Sequence, residues 1–276
     1  MPEGPECKII AEKLNKSLKD KILVNIIFYP NSRYIKHNFP EKYQNFKEKL
    51  PLKISSVNVK GKLLWFDFGN DIKMLNTLGM SGIWTYNKEK HCDIEFVYTD
   101  EENNQNSIFF KDVRHFGTIK FLLDKPSFDK KIKSIGPDVL SKYFITFEQF
   151  NNLLDKYGEY DLPKILMNQS KISGIGNYLK AEILYCSQIN PFTLIKDLST
   201  DRRKILYKNI LEIPKMSFLS QGVSIRDYIT PDNDKGIYQY SLKVYARKKD
   251  DFGNSITRDT TSDNRTTYWC PEIQFY

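Results

Sequence analysis

Residues 170–185 read SKISGIGNYLKAEILY. Gly174 and Gly176 predict a tight turn, and Asn177 opens an amphipathic helix whose buried face carries Leu179, Ile183 and Leu184. A glycine turn that runs into a helix N-terminus exposes backbone N–H groups, and such groups hold phosphate well. The same turn can simply pack two helices against each other, and spacing alone leaves both uses open. The stretch does settle that its part of the chain is helical.

The texture on either side differs. From Ile22 to Leu123 the runs ILVNIIFYP, ISSVNVKGKLLWFDF, IKMLNTLGMSGIWTY, CDIEFVY and SIFFKDVRHFGTIKFLL are rich in Val, Ile, Phe, Tyr and Trp. Gly69-Asn70-Asp71 joins two of them as a tight hairpin, and EENNQN at 101–106 reads as a loop tip. Successive antiparallel strands predict a β-sandwich. A helix precedes them. Ile10, Leu14 and Leu18 recur four apart, with Pro5 in the first turn and Glu6 at the positive end. After Gly136-Pro137 the patterns FEQFNNLLDKYG, DLPKILMNQ, NYLKAEILYCSQ and DRRKILYKNILEI are helical, and the last third returns to strand-like residues. The fold class is therefore α+β. An N-terminal antiparallel β-sandwich with a flanking helix spans residues 1–134. A linker follows at 135–140, then a helical domain at 141–276 that ends in a β-hairpin at about 243–273.

Totals narrow the function classes. A chain of 276 residues with 40% hydrophobic content can bury one large core or two ordinary ones. The formal charge of +8 points to a polyanionic partner. No run is apolar enough to span a bilayer, and the N-terminus lacks the apolar stretch of a signal peptide. Cys7, Cys92, Cys186 and Cys270 are scattered, which fits an intracellular, reducing compartment, cytoplasm or nucleus, rather than secretion. His37, His91 and His115 show no metal-ligand spacing.

Four further stretches carry candidate chemistry. In VKGKLLWFDF, Lys60 and Lys62 flank Gly61 and, on one strand face, could meet phosphate or merely water. In LGMSG, Met80 sits at a turn between glycines, and in DVRHFG, Arg114 and Phe116 precede Gly117. An apolar wedge beside an arginine can hold open a disrupted base stack, although core packing explains a Met or a Phe equally well. In NRTTYWCPEIQ, Arg265 lies near a ribbon tip that could enter a groove.

Six pieces in order, MPEGPE, VKGK, LGMSG, DVRHFG, SGIGNYLKAEILY and VYAR with NRTTYWCPEIQ, cover nearly the whole chain. Together they resemble the formamidopyrimidine-DNA glycosylase / endonuclease VIII family of base-excision repair enzymes. The PEGPE start resembles the endonuclease VIII branch, since the 8-oxoguanine branch usually reads PELPE. The resemblance implies a β-sandwich followed by a helix–two-turns–helix (H2TH) domain with a terminal finger. It implies a bifunctional DNA glycosylase and AP lyase acting on damaged DNA, whether duplex, bubble or single-stranded, and a monomer is expected. Pro2, freed by removal of Met1, becomes the nucleophile, Glu3 the acid/base, and Glu6 a supporting group. Lys62 contacts phosphate and supports catalysis, and Asn177 and Arg265 hold the flanking phosphates. Met80, Arg114 and Phe116 fill the gap left by the extruded nucleotide.

Two departures stand out. The family's finger holds zinc on two CxxC pairs. Here residues 247–256 contain no cysteine, and the second pair is reduced to Cys270-Pro271-Glu272-Ile273. With three of the ligands missing no tetrahedral site forms, so no zinc and no other cofactor is expected. This resembles the zincless-finger branch, in which Val244, Tyr245, Phe252, Ile256, Tyr268 and Trp269 must hold the ribbon by packing. His115 stands where the family commonly has a second arginine, which makes a backbone or phosphate contact there either weaker or pH-dependent. Oxidised pyrimidines are the expected lesions, with the segment at 230–240 contributing to the choice. The alternatives are oxidised purines, or a non-catalytic DNA-binding protein of the same fold. Retention of Pro2, Glu3, Glu6 and Lys62 together favours an enzyme.

Overall fold

Runs of β-branched and aromatic residues build the strands of the first part of the chain. A computed structural model describes residues 2–30, 32–36, 39–224, 230–232 and 234–275. The chain divides into two compact units. Of the described residues, the first holds Pro2 and those within 6–134 and 221–236, and the second holds 3–5, 135–220 and 237–275.

In the first unit, β1 (Ile22–Phe28) buries Leu23, Ile26 and Phe28. The alternation changes phase because the register shifts at a bulge between Leu23 and Asn25. β2 (Leu52–Lys53), β3 (Ser56–Lys60), β4 (Leu63–Asp67), β5 (Lys73–Thr77), β6 (Gly82–Thr85), β7 (Cys92–Thr99), β8 (Gln105–Asp112) and β9 (Thr118–Leu122) follow. They form one sheet ordered β2-β1-β7-β8-β6 and another ordered β3-β4-β5-β9, with every pairing antiparallel. The rings of both sheets meet in the middle. Trp84 lies 5.2 Å from Phe66 of the second sheet, and 5.0 Å and 5.3 Å from Phe96 and Phe110 of its own. α1 (Gly4–Leu18) adds Ile10, Leu14 and Leu18 to this core, the face its periodicity predicts. The hairpin at Gly69-Asn70-Asp71 is as read, with all three residues at positive φ.

Three short helices interrupt or follow the strand-like stretch. α2 (Arg33–Lys36) and α3 (Tyr43–Lys47) are too short for a helical period to show. α4 (Lys125–Lys133) buries no residue, so it has no apolar stripe; its start is set by the Asp124 cap and Pro126. The loop tip at 101–106 is shorter than its composition suggests, because Gln105 and Asn106 already pair with Thr99 and Tyr98.

The second unit is helical, and its boundaries are written in caps. α5 (Phe147–Asp155) starts at a Thr146–Gln149 capping box, and α6 (Leu162–Leu166) at Asp161 followed by Pro163. α7 (Asn177–Cys186) follows the glycine turn, and α8 (Thr200–Leu219) is capped by Ser199. β10 (Thr257–Thr260) and β11 (Thr266–Trp269) form the terminal hairpin. The amphipathic reading of α7 does not hold. Every residue from Tyr178 to Tyr185 is buried, Lys180 and Glu182 included, because each of those charges has an internal partner. Among the described residues no helix is long and apolar enough to cross a membrane.

Trp84 is also a hydrogen-bond donor, its Nε1 lying 3.0 Å from the fully buried Asn76 Oδ1. Trp84→Phe keeps an aromatic ring but leaves that oxygen without its donor. The expected loss is about 1–3 kcal/mol, read as a lower urea midpoint at unchanged m-value.

Candidate active site and phosphate contacts

In the second unit the glycine turn and α7 N-terminus are occupied by the chain's own carboxylate. Glu3 is 2% exposed, and its oxygens accept hydrogen bonds from the N–H groups of Gly176 (2.7 Å), Tyr178 (2.9 Å) and Leu179 (3.3 Å). These are the donors that the sequence offers to phosphate. A side-chain anion at the positive helix end satisfies them here, so of the uses that the sequence left open the turn serves to anchor Glu3. Two glycines make the approach possible. The Gly4 N–H donates to the Gly174 carbonyl at 2.8 Å, and a Cβ on Gly4 would lie 2.9 Å from Gly174 Cα. Gly174 itself has φ +101°, a conformation that side chains resist.

Asn177 and Arg265 belong to the same unit. Asn177 Nδ2 donates to the Thr266 carbonyl at 2.9 Å, which ties the first turn of α7 to the start of β11. Arg265 is exposed at the hairpin tip. The tip is a tight turn in which Thr261 N–H donates to the Arg265 carbonyl and Asn264 N–H to the Thr261 carbonyl.

The finger does not offer a zinc donor set. Cys270 is its one thiol, fully buried, with its Sγ 3.7 Å from Asp250 Oδ2 and 3.4 Å from Glu272 Oε2. Asp250 closes the turn before β10. It accepts from Phe252 N–H, Asn254 N–H, Asn254 Nδ2 and the Tyr185 hydroxyl at 2.9–3.1 Å. Those bonds use the carboxylate oxygens as hydrogen-bond acceptors, so the residues present do not fit a tetrahedral ion. Burial, with the Glu272 hydrogen bond, pushes the Cys270 thiol up to about 11. The ribbon packs through Val244, Tyr245, Ile256 and Tyr268, while Trp269 meets Phe192 at 5.8 Å. Phe252 is a correction. It is 79% exposed because the turn closed on Asp250 points it into solvent.

The first unit holds the other candidates. Pro2 is buried, and Met1 lies outside the described residues. Glu6 is 1% exposed and accepts from the Val223 N–H at 2.9 Å. Gly222 leaves room for it, since a Cβ there would sit 2.7 Å from Glu6 Oε1. Lys60 and Lys62 do not share a strand face. Gly61, at φ +58°, turns the chain between β3 and β4, and Lys60 Nζ donates to the Ile132 carbonyl. Lys62 follows that turn, half-buried.

Met80, Arg114 and Phe116 come together, with Arg114 Nη1 3.9 Å from Met80 Sδ. Asp112 staples their two loops. Its Oδ1 accepts from the Ser81 hydroxyl at 2.6 Å and the Arg114 N–H at 3.3 Å, and its Oδ2 from the Gly117 N–H at 2.6 Å. Gly79 lets the loops touch, since a Cβ would lie 2.5 Å from the Phe116 carbonyl carbon. His115 turns inward, its Nδ1 2.9 Å from Asp93 Oδ2, while its carbonyl accepts from Arg33. Burial raises the Asp93 carboxyl from the usual range, and His115 opposes that. Of the 230–240 segment, residue 233 lies outside the described residues. Lys13 binds Thr230, Asp232 and Asp234 on either side of it.

Asp112, Asp250, Lys180 and Asp263 escape a reading by motif. The available signal was an acid or a lysine inside an otherwise apolar or turn-forming run, a pattern that also fits a solvated face.

Comparisons with known proteins agree with this architecture. Residues 1–119 match the formamidopyrimidine-DNA glycosylase N-terminal domain, residues 135–228 its H2TH domain, and residues 231–275 its C-terminal domain. The formamidopyrimidine-DNA glycosylase of Lactobacillus johnsonii is 30% identical over 286 residues, 99% of each chain. That of Mycoplasmopsis pulmonis is 32% identical over 285 residues, 99% of this chain and 98% of its own. The wild-type Lactococcus lactis Fpg (MutM), solved with DNA containing N7-benzyl-Fapy-dG, aligns over 100% of both chains with a TM-score of 0.84 and 26% identity.

Gly222 has φ +79° as well as the close carboxylate. Gly222→Ala should therefore destabilise the fold by about 1–2 kcal/mol from backbone strain alone. It should also push Glu6 off the Val223 N–H. Urea unfolding measures the first effect and amide exchange at Val223 the second.

Proposed function

The chain belongs to the formamidopyrimidine-DNA glycosylase family, and from that premise we propose that it is a bifunctional DNA glycosylase and AP lyase of base-excision repair. The observation that carries the chemistry is Glu3. It follows Pro2 directly, is buried, and is fixed by three N–H donors.

Once Met1 is gone, Pro2 carries a free secondary amine. Its lone pair attacks C1′ of the damaged nucleotide, and the base leaves with its bonding pair and takes up a proton. The sugar ring opens as the nitrogen becomes an iminium. The amine gives up its one N–H proton on attack, so the iminium has no N–H left to lose, and its fixed positive charge acidifies the C2′ proton. Loss of that proton expels the 3′ phosphate, and a second elimination expels the 5′ phosphate. Glu3 moves the proton to or from the opening sugar. Lys62, Asn177 and Arg265 hold the phosphates around the lesion. Met80, Arg114 and Phe116 enter the space left by the flipped nucleotide, and their pinned loops support that role. The enzyme acts as a monomer in a reducing compartment and needs no cofactor.

The PEGPE start and the cysteine-poor finger support an endonuclease VIII-like branch, with oxidised pyrimidines as substrates. A second reading, oxidised purines, is favoured by the names of the relatives and by the Fapy-dG DNA in the Lactococcus lactis complex. A panel of thymine glycol, dihydrouracil, 8-oxoguanine and Fapy-dG duplexes separates the two by relative rate.

Borohydride added to the protein with abasic-site DNA should give a covalent adduct. Pro2→Gly should slow trapping at least about tenfold, and Glu3→Gln should slow base release by about 10²–10⁴-fold, both with DNA affinity retained. A residue left before Pro2 should abolish trapping but not binding. Absence of adduct from folded protein with Met1 removed turns the reading to a DNA-binding module.

Purified protein should carry no stoichiometric zinc, and Cys270 should resist iodoacetamide near neutral pH until the chain is unfolded, as a buried thiol near 11 requires. One zinc per chain by elemental analysis overturns the zincless finger.

A further inference from the structure

We infer that Lys180 and Asp263 are positioning residues, a buried ion pair that fixes the hairpin tip on α7 and so sets Arg265 relative to Asn177. The inference rests on the reading of Asn177 and Arg265 as phosphate contacts. Lys180 is fully buried, and its Nζ lies 2.7 Å from Asp263 Oδ2 and 3.3 Å from Thr261 Oγ1. The Asp263 side chain is 4% exposed. Its other oxygen accepts from the Thr261 hydroxyl at 2.5 Å and from the Arg265 N–H at 3.3 Å. One carboxylate therefore joins a helix lysine to the backbone of the residue that presents the guanidinium.

Lys180 is also one turn from Asn177, on the same side of α7. Asn177 reaches the Thr266 carbonyl while Lys180 reaches Asp263 and Thr261. These polar rungs tie the tip to the helix on both sides of Arg265. The hairpin needs such ties, because its ladder has only four residue pairs, Thr257↔Trp269 to Thr260↔Thr266. Apolar packing under β11 would hold the ribbon down without fixing its register. A directed, desolvated charge pair does fix register. Burial pulls the Lys180 ammonium below the ordinary lysine range, and Asp263, then Glu3 and Asp161, oppose that pull. Removing Asp263 would leave the lysine charge without its nearest counter-ion.

A mutant cycle on binding to duplex carrying a tetrahydrofuran abasic analogue, repeated across salt, tests this. Arg265→Ala should weaken binding about tenfold and lower the slope of log K against log salt by about one. Lys180→Met should reproduce both changes, Lys180→Arg should restore them, and Lys180→Met in the Arg265→Ala background should add nothing. If Lys180→Met does not fold, Lys180→Met with Asp263→Leu removes both charges and must show the same loss. Wild-type affinity and slope in folded Lys180→Met or in that double variant overturn the inference. So does a Lys180→Met effect that multiplies with Arg265→Ala. If Arg265→Ala itself changes neither affinity nor slope, the phosphate reading fails and takes the inference with it.

Discussion

A carboxylate removed from water costs several kcal/mol unless donors replace its hydration. Glu3 is in that position, and the N-terminus of α7 supplies the replacement. The arrangement serves both parties, because a helix start also needs acceptors for its unpaired N–H groups. It has a strict geometric condition, since backbone must meet backbone at Gly4 and Gly174 before Glu3 can reach. Two features that look independent in the sequence, the PEGPE start and the SGIG turn, are thus the two sides of one contact. The nucleophile proposed here is one peptide bond from that fixed point, so its freedom of movement is limited by Glu3.

α7 repeats the device along its length. Its first turn receives Glu3, and Lys180 holds the hairpin tip. Glu182 accepts the N–H groups of Lys243, Val244 and Tyr245 at 2.8–3.0 Å. Burial raises the Glu182 carboxyl, and those three N–H groups resist the rise. A helix buried on all sides would ordinarily be apolar throughout. This one carries charges inward because each is a point of attachment for another segment of the second unit. Loss of such a charge removes a directional constraint as well as packing.

The strands, the Gly69-Asn70-Asp71 hairpin and the capped helices were legible because their signals are local. Runs of β-branched and aromatic residues, turn residues and helical patterns act within a few positions of each other. α2, α3 and α4 were not legible, since none presents an apolar stripe long enough to count. The site was legible as motifs but not as contacts. Glu3 and Gly176 are 173 positions apart, so no window contains both. Lys60 and Lys62 were misplaced because Gly61 reads equally as a strand or a turn residue, and its positive φ decides for the turn. Phe252 was misread for the opposite reason. Its hydrophobicity predicts burial, but the hydrogen bonds of Asp250 fix the turn first, and the ring goes where the turn points.

The same precedence of backbone over side chain bears on the wedge proposed in the first unit. Phe116 is 59% exposed, an unfavourable place for a ring in a free protein. Its backbone is held nonetheless, by Asp112 through Gly117 on one side and by the close approach of Gly79 on the other. Arg114 is held through its own N–H by the same aspartate and by Ser81. Fixing a residue's backbone costs about 1–2 kcal/mol of conformational entropy. Here that cost falls in folding rather than in binding. An exposed ring on a pre-ordered loop enters an opened base stack with less left to lose than one on a mobile loop. Asp112 thus bears on the proposed wedge by ordering the backbone on which Arg114 and Phe116 stand.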